Sequence, residues 1–337
     1  MDMRLFRSRD ARRPNCRGRV SQAVETCIPE SRSCFMLRVI IGMLCIADAG
    51  GKIVGAVIVP HGDFAFDPSL VQYQNGSLEI HRAAKAAGRY LSALSPDVIL
   101  LSTPHGVALS DDFAFYTNSY GAGYAMVGGD LQNASFPQYK VPMNVTLDAQ
   151  LSNALLAALN GMNVSGLSSF ADAEAQAIRW GEVLPLTFLT PGVREAAKIV
   201  ILSQPLRRSS ASAQMVPELL RLGDAAFRVL DAMPERVALL MSSDLAHTHL
   251  ASGPYGFSDA AAPFDAAVAR WAGNPMANAT ALLDEAAQLE KQAMSCGFTS
   301  LVFLHGALAA AGNWSRWSPR LLANFAPTYY GMLVAVF

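Results

Sequence analysis

Short apolar runs alternate with amphipathic stretches from residue 53 onward, the pattern of a sheet buried on both faces between helices. The segments 53–59, 98–103, 198–202 and 236–242 read as strands. Between the first two, Ile80, Ala84, Ala87, Tyr90, Leu91 and Leu94 share one face of a helix predicted over 78–94. Pro96-Asp97 then turns the chain into the next strand, which makes a βαβ unit. Asp112–Thr117 and Gly123–Val127 read as short strands of a β-rich insertion, and 147–159 as a helix capped near Thr146-Leu147-Asp148. A Gly/Ser-rich turn at 165–169, a helix over 214–232 and a helical region over 259–294 follow, the last interrupted near Gly273-Asn274-Pro275. An apolar helix from Phe298 through Ala311 and two strand-like pieces, 319–325 and 328–337, close the chain. The expected architecture is one α/β domain over 51–337, a mixed central β-sheet flanked by helices, with no linker inside it.

Three of the strands end in histidine. Val59 runs into Pro60-His61-Gly62, Thr103 into Pro104-His105-Gly106, and Met241 into Ser242-Ser243-Asp244-Leu245-Ala246-His247-Thr248-His249. Carboxyl ends of strands in an open α/β sheet face the crevice where ligands bind, so these distant segments are expected to converge. Neutral imidazole is the commonest protein metal ligand, and a mononuclear metal centre built on His61 and His105 is the first reading. Of the pair two residues apart, His247 is favoured as the functional one, with Asp244 placed to orient it and His249 as a surface or supporting group. Cys296 sits at the mouth of the predicted apolar helix, where the helix dipole would favour its metal-binding thiolate. Glu182, after a turn at Trp180-Gly181, could face the site, and Tyr329 or Tyr330 could offer a hydroxyl to a substrate or simply pack. His81 and His305 read as structural. The chain carries no Gly-rich phosphate cradle, serine-hydrolase elbow or CxxC pair.

Composition narrows the partners. A hydrophobic fraction of 52% with 16% charged residues describes a packed globule, and a net charge of −1 without a basic stripe argues against nucleic acid. No run of apolar residues is long enough to span a membrane. The first 50 residues differ: they hold nine Arg, no Lys and five acids, with Cys16, Cys27, Cys34 and Cys45. Residues 1–50 are expected to be an N-terminal extension that is disordered, a targeting segment, or sequence upstream of a start at Met36. Met36 to Ala49 has the outline of a short signal peptide, or alternatively an added edge element. Six Asn-x-Ser/Thr sequons, at Asn75, Asn133, Asn144, Asn163, Asn278 and Asn313, lean toward a secretory route. A single cysteine in the body, Cys296, offers no disulfide frame, so cytoplasmic and secretory locations both stay open.

Taken together, the two Pro-His-Gly strand ends, the Ser-Ser-Asp-Leu-Ala-His segment, Ser295-Cys296-Gly297-Phe298 and Pro327-Thr328-Tyr329-Tyr330-Gly331-Met332 resemble the LigB/MEMO superfamily, the fold of class III extradiol ring-cleavage dioxygenases. The resemblance covers residues 53–337. It implies non-haem Fe(II) on His61 and His105, His247 as acid/base, and a catechol-type substrate cleaved with O₂. The dioxygenases take a third ligand from a glutamate before the penultimate helix; here Cys296 stands there, as in the MEMO branch. Thiolate in place of carboxylate softens the site toward copper or zinc. Trp180 stands where ring-cleaving relatives often carry a substrate-contacting histidine, and Ala326 where related chains can carry another. The alternative implied is therefore a MEMO-like metal-binding redox or peptide-binding protein, or a zinc-bearing or metal-free binding protein. A homo-oligomer is left open.

Overall fold

In the computed structural model, which describes residues 52–70, 75–130, 133–170 and 174–337, the apolar runs become neighbours. In chain order the strands are β1 (Ile53–Val59), β2 (Val98–Thr103), β3 (Phe113–Tyr116), β4 (Tyr120–Asp130), β5 (Asn133–Thr146) and β6 (Val164–Leu167). They continue with β7 (Gln176–Ile178), β8 (Lys198–Ser203), β9 (Val237–Ser242), β10 (Arg320–Phe325) and β11 (Met332–Val336). Eight of them form one sheet in the order β10-β11-β1-β9-β2-β8-β3-β6. β1, β9, β2 and β8 run parallel, and β11 joins β1 antiparallel. A mixed α/β domain is therefore the observed class. The segment 1–50, with the signal-like stretch Met36 to Ala49, lies outside the described residues.

Side-chain alternation explains why the central strands are apolar throughout. Val98 and Leu100 of β2 enter one core with Leu239 and Met241 of β9, while Ile99 and Leu101 enter the opposite core with Leu240. A strand covered on both faces must be hydrophobic at every position. One face is covered by the helices Val216–Asp231, Ala261–Gly273 and Phe298–Ala310. The last is buried along Phe298–Leu308, which accounts for its apolar character all round. The other face holds the helix Asn75–Ala93, the short helix Trp180–Thr187 and the small sheet β5-β4-β7. Among the described residues no helix is long and apolar enough to cross a membrane.

Three expectations change. β3, read as part of an insertion, belongs to the main sheet, pairing antiparallel with β8 and parallel with β6. Its Phe113 and Phe115 pack with Leu151 and Leu155 of the helix Ala149–Ala158, and that burial places it. The Gly/Ser-rich stretch read as a turn contributes β6, because pairing with β3 outweighs glycine's poor strand propensity. Residues 180–187 form a helix rather than a turn. Glu182 makes its start: the Arg179 N–H donates to the Glu182 carboxylate at 2.9 Å, closing a capping box.

The helices Val216–Asp231 and Phe298–Ala310 meet glycine against backbone. A Cβ on Gly223 would stand 2.1 Å from the Phe303 carbonyl oxygen, and one on Gly306 would stand 2.5 Å from that of Leu220. The obstacle is main chain, which cannot step aside as a side chain can. Gly223→Ala is therefore expected to lower stability by about 1–3 kcal/mol. Urea denaturation would show a lower midpoint at unchanged slope; an unaltered midpoint would mean the helices separate freely.

Candidate metal centre

β1, β9 and β2 are consecutive in the sheet, so their carboxyl ends open at one edge. His61 leaves β1, His105 leaves β2, the Asp244–His247 segment leaves β9, and Cys296 enters from the turn before the helix Phe298–Ala310. The His61 and His105 rings stand edge to face with centroids 4.7 Å apart, and His61 Nε2 lies 3.3 Å from Cys296 Sγ. One ligand atom from each of His61, His105 and Cys296 falls within 4.8 Å of the others. The glycine after each of the two histidines permits this crowding. A Cβ on Gly62 would come within 2.4 Å of the Tyr330 ring, and one on Gly106 within 2.6 Å of the Ser203 and Tyr116 hydroxyl oxygens.

Hydrogen bonding selects the tautomer of His61. Ser242 donates its hydroxyl proton to the Gly181 carbonyl at 2.7 Å, so at 2.9 Å it accepts from His61 Nδ1–H. The Nε2 lone pair is thereby turned toward Cys296. His105 makes no ring-nitrogen hydrogen bond to protein among the described residues, and its ring lies 4.9 Å from that of Trp180. Burial holds His61 well below the usual imidazole range and, with Arg208 and His247 nearby, lowers His105 to about 3. Both are neutral at pH 7, the form that binds metal. Cys296 departs from expectation. Burial first, and the Asp244 charge second, push its thiol well above the ordinary value, so desolvation outweighs any help from the helix. Its proton is one that a cation would displace. Two imidazole nitrogens and a thiol at this spacing are a donor set that fits a soft or borderline divalent metal.

Asp244 serves His61 rather than His247. Its Oδ1 accepts from the His61 N–H at 3.2 Å, and its Oδ2 lies 3.2 Å from His61 Nε2. Burial raises this carboxyl to about 8. His247 is oriented instead by backbone: Nδ1–H donates to the Leu245 carbonyl at 2.8 Å, which leaves Nε2 unprotonated, and the residue lines the cavity. The expectation that Asp244 steers His247 fails because an extended segment turns these side chains to different neighbours. Burial lowers His247 to about 4, against the pull of the Leu245 and Met294 carbonyls. His249 turns away and pairs with Asp265 at 2.8 Å; Asp265 also accepts from the Ala246 N–H, so the pair fixes the backbone that carries His247. His81 bonds the Ala65 carbonyl and His305 accepts from Trp271 Nε1, both away from the cluster.

Above the three donors lies a cavity of about 620 Å³, walled by Phe64, Trp180, Tyr255, Tyr329 and Tyr330 and reached by His247. Glu182 is not among its lining residues. It stands behind the wall, accepting from the Tyr116 hydroxyl, which in turn accepts from the Val107 N–H and so steadies the loop after His105. Three contributors escaped sequence reading. Asp63 lines the cavity and adjoins the first Pro-His-Gly, a signal that was there to be read. Tyr255 comes from a loop with no periodicity. Arg208 donates to the Pro104 carbonyl from a four-residue helix far along the chain, and nothing local announces it.

Burial pushes the Glu182 carboxyl up to about 7 from an ordinary 4.5. A native group that keeps its proton to higher pH than the unfolded chain weakens folding as pH rises through that window. Glu182 is thus expected to contribute a fall in stability on the order of 3 kcal/mol between pH 4.5 and 7, opposed in the lower part of that window by the neutral buried histidines. Glu182→Gln should flatten this slope in urea titrations; an unchanged slope would remove Glu182 as its source.

Residues 67–323 match the family described as the catalytic LigB subunit of aromatic ring-opening dioxygenase. Among solved structures, the uncharacterized protein JW3007 from Escherichia coli K12 superposes with a TM-score of 0.52 at 16% identity, covering 84% of this chain and 99% of that one. At that identity the likeness speaks for the fold. No curated protein matches the chain. The family match spans most of the sheet and the strand ends that carry His105 and His247, with His61 just before its start, and the chain belongs to the LigB family.

Proposed function

We propose that the chain is a metal-dependent extradiol ring-cleavage dioxygenase-like enzyme acting on a catecholic substrate with O₂, its catalytic domain spanning 51–337. The observation that carries this reading is the convergence of His61 Nε2, His105 and the Cys296 thiol beneath an aromatic cavity entered by His247. In this reading His61, His105 and Cys296 hold Fe(II). When bound, the metal supplies a path for electrons from the ring to oxygen. His247, neutral with its proton on Nδ1, takes a proton from a catechol hydroxyl and returns it to the opened product. Asp244 holds the His61 backbone in place, and Tyr329, Tyr330 and Trp180 flank the ring and exclude water.

A second reading rests on Cys296. A thiol in the place of a carboxylate favours copper or zinc, and a MEMO-like redox or peptide-binding role uses the same donors without ring cleavage.

Metal analysis separates the donors from the bystanders. His61→Ala and His105→Ala are each expected to abolish stoichiometric metal binding, Cys296→Ala to weaken it, and His305→Ala to leave it intact. Full metal content in either of the first two would sink the assignment. Cys296→Glu is expected to restore a dioxygenase-like donor set. Oxygen uptake by anaerobically Fe(II)-loaded protein with a panel of catechols tests the chemistry. Uptake requiring both iron and a catechol supports ring cleavage; none, with iron bound, favours the MEMO-like reading.

A further inference from the structure

The cavity is lopsided in charge. Two carboxyl groups line it, Asp63 and Asp244, of which Asp244 is held largely protonated at pH 7 by burial, and among the described residues no Lys or Arg does. Arg208 is near enough to influence the histidines, but its guanidinium bonds the Pro104 carbonyl and does not line the cavity. The two carboxylates differ in what they have left to give. Asp244 turns both oxygens to His61. Asp63 commits one, Oδ2, to the Gly128 N–H at 3.0 Å, while Oδ1 has no protein partner among the described residues. Tyr255 and Tyr329, with ring centroids 6.2 Å apart, share the same cavity.

A ring bearing a carboxylate would bring its negative charge close to Asp63, with no Lys or Arg among the described lining residues to offset it. A ring bearing an ammonium would find Asp63 Oδ1 and the faces of two tyrosines, which attract cations through their ring quadrupoles. We propose that the cavity selects catechols whose side chain ends in an ammonium group, and that Asp63 is the residue that sets this specificity. The inference rests on the cavity being the substrate site of the ring-cleavage reading and names the class of substrate it takes.

Calorimetric titration of the full-length protein tests it with paired ligands of matched ring and opposite charge. Tyramine and 4-hydroxyphenylacetate, which lack the second ring hydroxyl, report on Asp63 without chelation of a metal. Dopamine and 3,4-dihydroxyphenylacetate, titrated without oxygen into Fe(II)-loaded protein, report on the complete site. In each pair the amine is expected to bind about tenfold more tightly than the acid. Asp63→Asn keeps an oxygen for the Gly128 N–H and is expected to bring the two members of each pair within about threefold. Equal or tighter binding of the acids, a preference undiminished in Asp63→Asn, or no binding by either pair would overturn the proposal. Its failure is distinct from that of ring cleavage. Amine preference without oxygen uptake removes the reaction and keeps the specificity, and uptake with acids preferred does the reverse.

Discussion

Ser242 has one hydroxyl proton, and the site depends on where it goes. Because it is given to the Gly181 carbonyl, the oxygen can only accept from His61, and the imidazole is locked with its lone pair toward the thiol. The same bond ties the end of β9 to the start of the helix Trp180–Thr187. There a Cβ on Gly181 would lie 2.8 Å from the His105 Cβ. One buried hydrogen bond contributes only about 1 kcal/mol to folding. Its consequence here is larger than its energy, since it couples the tautomer of one histidine to the seating of the other.

Much of this frame was legible in the chain. Two histidines in identical Pro-His-Gly contexts, each after a run apolar at every position, could only be strand ends in a sheet covered on both sides. The parallel register of β1, β9 and β2 then delivers their side chains to one place. Local patterns report local structure, and where the site draws on distant packing the pattern fell silent. The four-residue helix that carries Arg208 has no hydrophobic periodicity to reveal it. The partner of His247 proved to be a carbonyl, which has no letter in a sequence. β3 looked like part of an insertion because its place between β8 and β6 is decided by the burial of Phe113 and Phe115.

Cys296 shows how competing effects are ranked. The turn before an apolar helix suggests a thiolate, since a helix dipole stabilises negative charge by at most about 2 kcal/mol. Burial, beside the Asp244 side chain, acts in the opposite direction and is the larger influence. The thiol therefore keeps its proton until something more strongly attracting arrives. Affinity for a cation at this position is tied to pH by proton release.

β1 and β2 are not neighbours, because β9 lies between them. Adjacent strands are about 4.8 Å apart, so His61 and His105 set out from roughly twice that distance and lean toward each other over the end of β9. Between them stands the end of β9, where the fully buried Ser242 touches His61 and the fully buried Ser243 packs against Gly297, the residue after Cys296. The bowl that cradles the donors is thus one strand wide, and hydroxymethyl groups are what that strand presents to its rim. A lineage that enlarged Ser242 would displace an imidazole, and one that enlarged Ser243 would displace the turn that carries the thiol, each leaving every named ligand in place.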